Sequence, residues 1–170
     1  MQEPLRDAID QAQSLGHQRN VRIESPRGDT GEVRLLADSQ RLRQLFTLLL
    51  DNAVRYSHPD SFVQARTRVV SDPETSTWWE LQIADHGIGI PAEEMPHVFK
   101  RNFRGDRAQL HQSNGNGLGL SIAASLARAH GGSIVFESPD SSGTTVTLRL
   151  PVLPGAVQST TSPIYEHTYS

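Results

Sequence analysis

The chain contains no cysteine, which excludes a disulfide framework and any metal site built on thiolates. It has no apolar run approaching the ~18–20 residues that span a bilayer. Its opening, MQEPLRDAIDQ, is not a secretory signal. No membrane contact by this chain is expected, and a cytoplasmic setting fits; any membrane anchor would rest on a segment outside it. An excess of one charge is missing too. A formal net charge of -3 over 170 residues, 21% of them charged, offers no basic surface for nucleic acid, and none is expected as a partner. Also absent is G-x-x-x-x-G-K-[ST], so a phosphate ligand would not be held by a P-loop.

What remains reads as one soluble globular domain over residues 1–153 with a disordered tail, 154–170, rich in Ser, Thr and isolated aromatics. PLRDAIDQAQSLGH predicts a helix closed by Gly16. NVRIES and EVRLLAD predict short strands around the turn PRGDTG. Asp38 or Ser39 predicts the cap of a helix running to about Tyr56. FVQARTRVV and TWWELQIAD predict strands split by SDPETS. Pro91 opens an irregular stretch, and FKRNFRGDRAQLHQSNGNG reads as a long polar connection. A second helix is expected from about Leu118 to His130, stopped by Gly131 and Gly132. SIVFES and TTVTLRL complete the strands. The fold class expected is α/β, a two-layer sandwich with a mixed sheet of five or six strands and helices on one face.

Four stretches could carry chemistry. On the helix 39–56, Leu42, Leu45, Phe46, Leu49, Ala53 and Tyr56 form an apolar stripe with Asn52 at its edge. An amide at that margin needs partners, and its oxygen is a hard ligand suited to Mg²⁺; a solvated or capping Asn is the plainer alternative. In QIADHGIGIP a strand ends at Asp85, before Gly87 and Gly89. Gly87 to Ala92 matches G-x-G-x-x-A, but no strand bearing an acid follows about 20 residues on, so a dinucleotide fold is disfavoured. An Asp in this place suits accepting a hydrogen bond from an exocyclic amine such as adenine N6, against the alternative of a tight turn with a solvated Asp. In HVFKRNFRGDR, Phe99 and Phe103 alternate with Arg101, Arg104 and Arg107, either aiming a guanidinium at phosphate or forming a charged surface turn. In SNGNGLGLSIA, Gly115, Gly117 and Gly119 run into a helix N-terminus, a place where phosphate binds readily; a flexible capped loop is the alternative. The polar lead-in looks like a lid.

The order of these stretches resembles the ATP-binding catalytic domain of sensor histidine kinases, in the superfamily that also holds DNA gyrase B, MutL and the large heat-shock chaperones. LLLDNAVRYS is similar to the N box, DHGIGI to G1, VFKRNFRGD to the F box, GNGLGLSIA to G2, and GTTVTLRLP to a G3-like ending; ARAHGGSIVFES resembles the join before it. The resemblance covers about residues 1–151 and implies the Bergerat-type ATP-binding fold, with ATP and Mg²⁺ as ligands.

By that resemblance Asn52 would coordinate Mg²⁺, Arg55 would reach the phosphates, and Tyr56 would pack on adenine. Asp85 would accept from adenine N6, with Gly87 and Gly89 letting the base sit close. Gly115, Gly117 and Gly119 would form the lid hinge and phosphate cradle, Leu118 and Leu120 would anchor the helix behind them, and Thr144 would lie near adenine. Arg104 keeps the family's basic position and would stabilise charge on the γ-phosphate. Leu48 departs from the pattern. It stands where the N box commonly has a second Asn and where ATP-hydrolysing relatives hold a Glu, which favours a kinase over an ATP-driven clamp; the intact Asn52, Asp85 and three G2 glycines disfavour a degenerate interaction module. None of the seven histidines has the setting of the family's phosphoacceptor; they fall in turns, loops or the tail. The resemblance therefore implies transfer of the γ-phosphoryl group to a histidine in a separate dimerisation domain, with a response regulator downstream and a monomer as the state of the fragment.

Overall fold

The computed structural model describes residues 2–27, 32–33, 35–71, 76–111, 116–139, 142–153 and 157–158. Its first element, α1 (Gln2–Arg19), buries Leu5, Ala8, Ile9 and Ala12 on one side. It does not stop at Gly16 as expected. Asn20, at φ 59, ends it in the left-handed conformation, with bonds from Asn20 N to His17 O and from Val21 N to Gly16 O. Gly16 serves that closure by proximity, since a Cβ there would stand 2.5 Å from Val21 O.

After β1 (Arg22–Arg27) and the two-residue β2 (Glu32–Val33) comes α2 (Ser39–Tyr56). Asp38 caps it by accepting from Gln40 N at 2.9 Å and Arg41 N at 3.1 Å. Its buried arc is wider than the expected stripe: Leu50 and Val54 join Leu42, Leu45, Phe46, Leu49 and Ala53, while Tyr56 is only half-buried. The cause is packing on two sides, against α1 and against α4 (Gly119–Ala129).

The remaining strands are β3 (Phe62–Ser71), β4 (Thr77–Asp85), β5 (Ser133–Glu137), β6 (Thr144–Pro151) and β7 (Val157–Gln158). β1 and four of these form one mixed sheet in the order β1-β3-β4-β6-β5, parallel between β1 and β3 and antiparallel elsewhere. Alternation along β4 sends Trp79, Leu81 and Ile83 into the helical layer, where Trp79 meets Phe46 at a ring distance of 5.8 Å. Side chains of this size contribute ~1.5–3 kcal/mol each on burial. Glu80 points to the other face and is nonetheless buried, held by Arg68 Nε at 2.5 Å and Arg149 Nε at 2.6 Å from the in-register strands beside it.

The segment expected to be a tail contains β7, which pairs with β2; the rest of 154–170 lies outside the described residues. A short helix, α3 (Asp106–His111), stands in the stretch read as a polar connection. Three histidines expected in turns or loops sit in helices, His17 in α1, His111 in α3 and His97 in a single 3-10 turn, Met95–His97. Among the described residues no helix is long and apolar enough to cross a membrane.

Candidate functional site

The last turn of α2, the end of β4 and the start of β6 meet in a closed set of backbone bonds. Ile88 N donates to Tyr56 O at 3.1 Å, His58 N to His86 O at 3.1 Å, and Ser57 bridges Gly87. Gly143 N donates to Gly87 O at 2.9 Å. The Ser138 hydroxyl donates to Gly143 O at 2.7 Å and accepts from Ile90 N at 2.8 Å. Glycine at 87 follows from this closeness: a Cβ there would fall 1.9 Å from Tyr56 O and 2.9 Å from Asp85 Oδ1. Gly143, at φ +73, passes so near the strand end that a Cβ would lie 2.3 Å from Asp85 O.

Asp85 stands at the centre of this set. Its Oδ1 accepts from Thr144 N at 3.1 Å. Burial pushes its carboxyl up to about 6, against the backbone bonds from Thr144 and Gly87 and the nearby His86, which favour the charged form. It is thus a half-buried carboxylate, held from behind by the backbone, that charges around pH 6. On α2, burial also raises Asp51, opposed by the Arg55 guanidinium one turn on. Asn52 and Arg55 are half-buried on the flank of the apolar arc, and Tyr56, a turn after Asn52, belongs to the same edge.

The second half of the site hangs on the segment after β4. Phe99 packs edge-on against Phe136 at 5.4 Å and Phe103 against His97 at 5.7 Å, so both rings anchor the segment. The Glu94 carboxylate caps α3 by accepting from Asp106 N at 3.0 Å, and a Cβ at Gly105 would collide with it at 1.7 Å. Arg104 is half-buried and its Nη2 donates to Ala108 O at 3.3 Å; Arg107 reaches Ile88 O at 3.4 Å. Gly117 accepts from Asn102 N at 3.1 Å. At φ +62 it leaves only 2.7 Å between a Cβ and Phe103 O. The helix α4 follows at once. Leu118, half-buried, is its N-cap residue, no side chain caps it, and Leu120 packs on the core. At Gly119 a Cβ would touch only Leu48 Cδ2, at 3.8 Å. Gly115 lies outside the described residues.

An open cavity of about 530 Å³ is lined by His58, Gly87, Ile88, Arg107, Leu110, His111 and Ser142. The hollow thus gathers residues that follow α2 and β4, residues of α3 and the turn before β6; of the residues expected to bind ligand it is lined by Gly87, while Asn52, Arg55, Tyr56, Asp85, Arg104, Gly117 and Thr144 are not among its lining residues. Gly89, at φ 66, completes the turn after Asp85. Sequence reasoning passed over Ser138, Glu94 and the α3 residues other than Arg107, and took Gly143 only as the start of the G3-like ending. The Ser-Gly before a strand was a turn signal for Gly143, but nothing local marks a serine or a glutamate whose partners lie in other segments.

A family model described as histidine kinase-, DNA gyrase B- and HSP90-like ATPase matches residues 37–154. Sensor histidine kinase YkoH of Bacillus subtilis (strain 168) is 37% identical over 142 residues, 84% of this chain and 29% of that protein. Signal transduction histidine-protein kinase ArlS of Staphylococcus aureus (strain USA300) is 37% identical over 105 residues, 62% of this chain and 22% of its own length. The chain thus spans under a third of these relatives. Among solved structures, the mycobacterial sensor histidine kinase MprB superposes with a TM-score of 0.68 at 29% identity, covering 88% of this chain and 97% of that one.

Proposed function

This chain belongs to the histidine kinase-, DNA gyrase B- and HSP90-like ATPase family, and we propose that it binds Mg-ATP and presents the γ-phosphoryl group to a histidine on a separate helical domain. The observation that carries the reading is the half-buried Asp85 carboxylate, held by Thr144 N beside the forced glycine at 87. A carboxylate in a slot that excludes side chains is an acceptor suited to the exocyclic amine of adenine. Ionised at neutral pH, it makes the stronger kind of hydrogen bond.

Adenine sits against Tyr56, the ribose faces the cavity, and the phosphates run toward Gly117 and the first amides of α4, which no side chain caps. Asn52 offers the residue type that Mg²⁺ needs: a half-buried amide oxygen whose group makes no hydrogen bond to a described residue. Mg²⁺ there would neutralise phosphate charge. Arg55 adds positive charge from the same flank. Arg104, now bound to Ala108 O, is the guanidinium that would turn to the γ-phosphate. Catalysis by such residues is positioning and charge stabilisation, with the attacking imidazole supplied by the other domain.

Leu48 favours kinase over free ATPase. It packs on the core and its methyl is the nearest atom to Gly119, so an apolar group fills the place from which an acid could activate water. A response regulator as the next acceptor, and a parent anchored in a membrane, belong to the same proposal. Calorimetric titration with a non-hydrolysable ATP analogue tests it: one saturable site, strengthened by Mg²⁺, is expected. A folded chain that binds nothing would refute it, and steady phosphate release from ATP would favour the clamp-type ATPase.

A further inference from the structure

Glu80 lies on the sheet face away from Trp79, Leu81 and Ile83, outside the helical core and outside the nucleotide site, yet its side chain is only 2% exposed. Two arginines bury it. Arg68 on β3 and Arg149 on β6 stand opposite it in register, and each donates through Nε, at 2.5 Å and 2.6 Å. A buried carboxylate needs a cationic partner, but one guanidinium neutralises it. The second leaves the row with a net positive charge. The two arginine side chains are 69% and 51% exposed, so their outer nitrogens remain open to a further acceptor. Arg66, exposed, follows on the same face of β3 two residues before Arg68. The row on the other side of Glu80 is apolar: Trp78 stands between Val70 and Pro151, all three half-buried. Two acids of this face, Glu24 and Glu137, lie together in the row of Ala84, about 13 Å further along β4. The open face is therefore polarised, with arginines and a tryptophan toward one end.

We propose that this end of the open sheet face, Arg66, Arg68 and Arg149 around Glu80 with the Trp78 row beside them, is a docking surface for an acidic segment of a partner protein that also carries apolar side chains. Glu80 is its anchor: by holding both Nε atoms it fixes two guanidiniums before a partner arrives, which lowers the ordering cost of binding. Fixed arginines beside a partly exposed tryptophan are the residue types that dominate binding hot spots. The chain as a whole carries a formal charge of -3, which repels an extended polyanion such as an anionic membrane or nucleic acid. A short acidic segment meets the local positive charge without that opposing field. The surface is independent of the nucleotide reading, since it lies on the face opposite α2.

The test titrates the full chain, labelled with nitrogen-15, with an octapeptide of six glutamates flanking two leucines, and follows amide shifts. Saturable shifts are expected in the Trp78, Glu80 and Gln82 rows of β3, β4 and β6, with affinity falling as salt rises. Arg66→Glu leaves the Glu80 pair in place and is expected to keep the parental Tm while weakening the peptide about 3- to 10-fold. Arg43→Glu makes the same charge change on an exposed position of α2 and should leave affinity unchanged. Equal losses in the two variants would reduce the effect to net charge and overturn the surface, as would shifts confined to the helical layer or no saturable shift at all. Phosphatidylserine vesicles that bind where the peptide does not, with the same sensitivity to Arg66→Glu, would give the face to a membrane instead. Self-association with that sensitivity and no peptide binding would give it to a second copy; either result overturns the proposal.

Discussion

The two ends of the site are built by different means. Around Asp85 the chain closes on itself: three separate segments exchange backbone bonds through Tyr56, Gly87 and Gly143, and the Ser138 hydroxyl locks the third. Around Gly117, among the described residues, one backbone bond comes from Asn102, beside ring packing and a side-chain cap. A site that must recognise one base and then release a phosphoryl group benefits from that division. Base recognition needs a preformed slot, whereas the phosphate end has to admit a second domain and rearrange arginines such as Arg104. The lesson is that the glycines of the two motifs are not equivalent, although they look alike in sequence.

The sharpest way to break the comparison is Gly87→Ala. Its methyl would overlap Tyr56 O at 1.9 Å, and backbone on both sides is bonded, so neither can yield cheaply. A loss of about 3 kcal/mol or more is expected, seen as a fall in Tm of roughly 6–12 °C, together with loss of adenosine binding. A variant with parental Tm would show that the slot is slack.

Asp85→Ala comes next. It removes the acceptor and with it the bonds from Thr144 N and Gly87 N, but not the bonds to Tyr56 O, His86 O and Gly87 O, so the fold should persist, with Tm within a few degrees, while adenosine binding falls by about 10-fold or more. Equal affinity would sink the assignment. The raised carboxyl adds a pH signature. Its folded value of about 6 lies above the ordinary 3.8, so the native state binds more protons than the unfolded chain between those values. Stability from this group is therefore full below about pH 4 and is lost as pH rises through 6. Adenosine affinity should run the other way, weakening as pH falls below about 6 because the ionised form is the better acceptor. Asp85→Asn should flatten both trends.

Gly117→Ala probes the other end with a smaller effect. A left-handed alanine costs ~1 kcal/mol, and the 2.7 Å approach to Phe103 O adds to it, but the neighbouring turn is held by fewer bonds and can shift. ADP should lose several-fold more affinity than adenosine. Equal losses would mean that Gly117 shapes the whole site and not its phosphate end.

These differences explain what could be read without coordinates. Strong periodicity and caps fixed α2 almost to the residue, because Asp38 and the Leu/Phe arc act locally. The strands β3, β4, β5 and β6 were likewise visible as apolar alternation between turn residues. The order of Asn52, Asp85, Phe99 and Gly117 was legible because it is an order along one chain. What could not be seen were relations across the chain. The α3 helix DRAQLH is too short and polar to show a face, and its cap, Glu94, stands 12 residues upstream. Gly16 looked like a stop and is a contact point inside α1. Which motif glycine is forced, and by what, depends on Tyr56 O and Phe103 O arriving from elsewhere.

The smallest expected effect is the most discriminating for that last point. Gly119 has an ordinary helical backbone, opens α4, and would place a methyl only against Leu48 Cδ2 at 3.8 Å. Alanine there should be accepted with a stability change between zero and a gain of about 1 kcal/mol, since it restricts the unfolded chain without strain. Its amide would still point toward a bound phosphate, so ADP affinity should change by about twofold or less. A tenfold loss confined to ADP would mean that the phosphates pass directly over the Gly119 Cα, and that glycine is required there by the ligand and not by the fold. Measured beside Gly87→Ala and Gly117→Ala, this variant separates glycines held by protein backbone from any held free for phosphate.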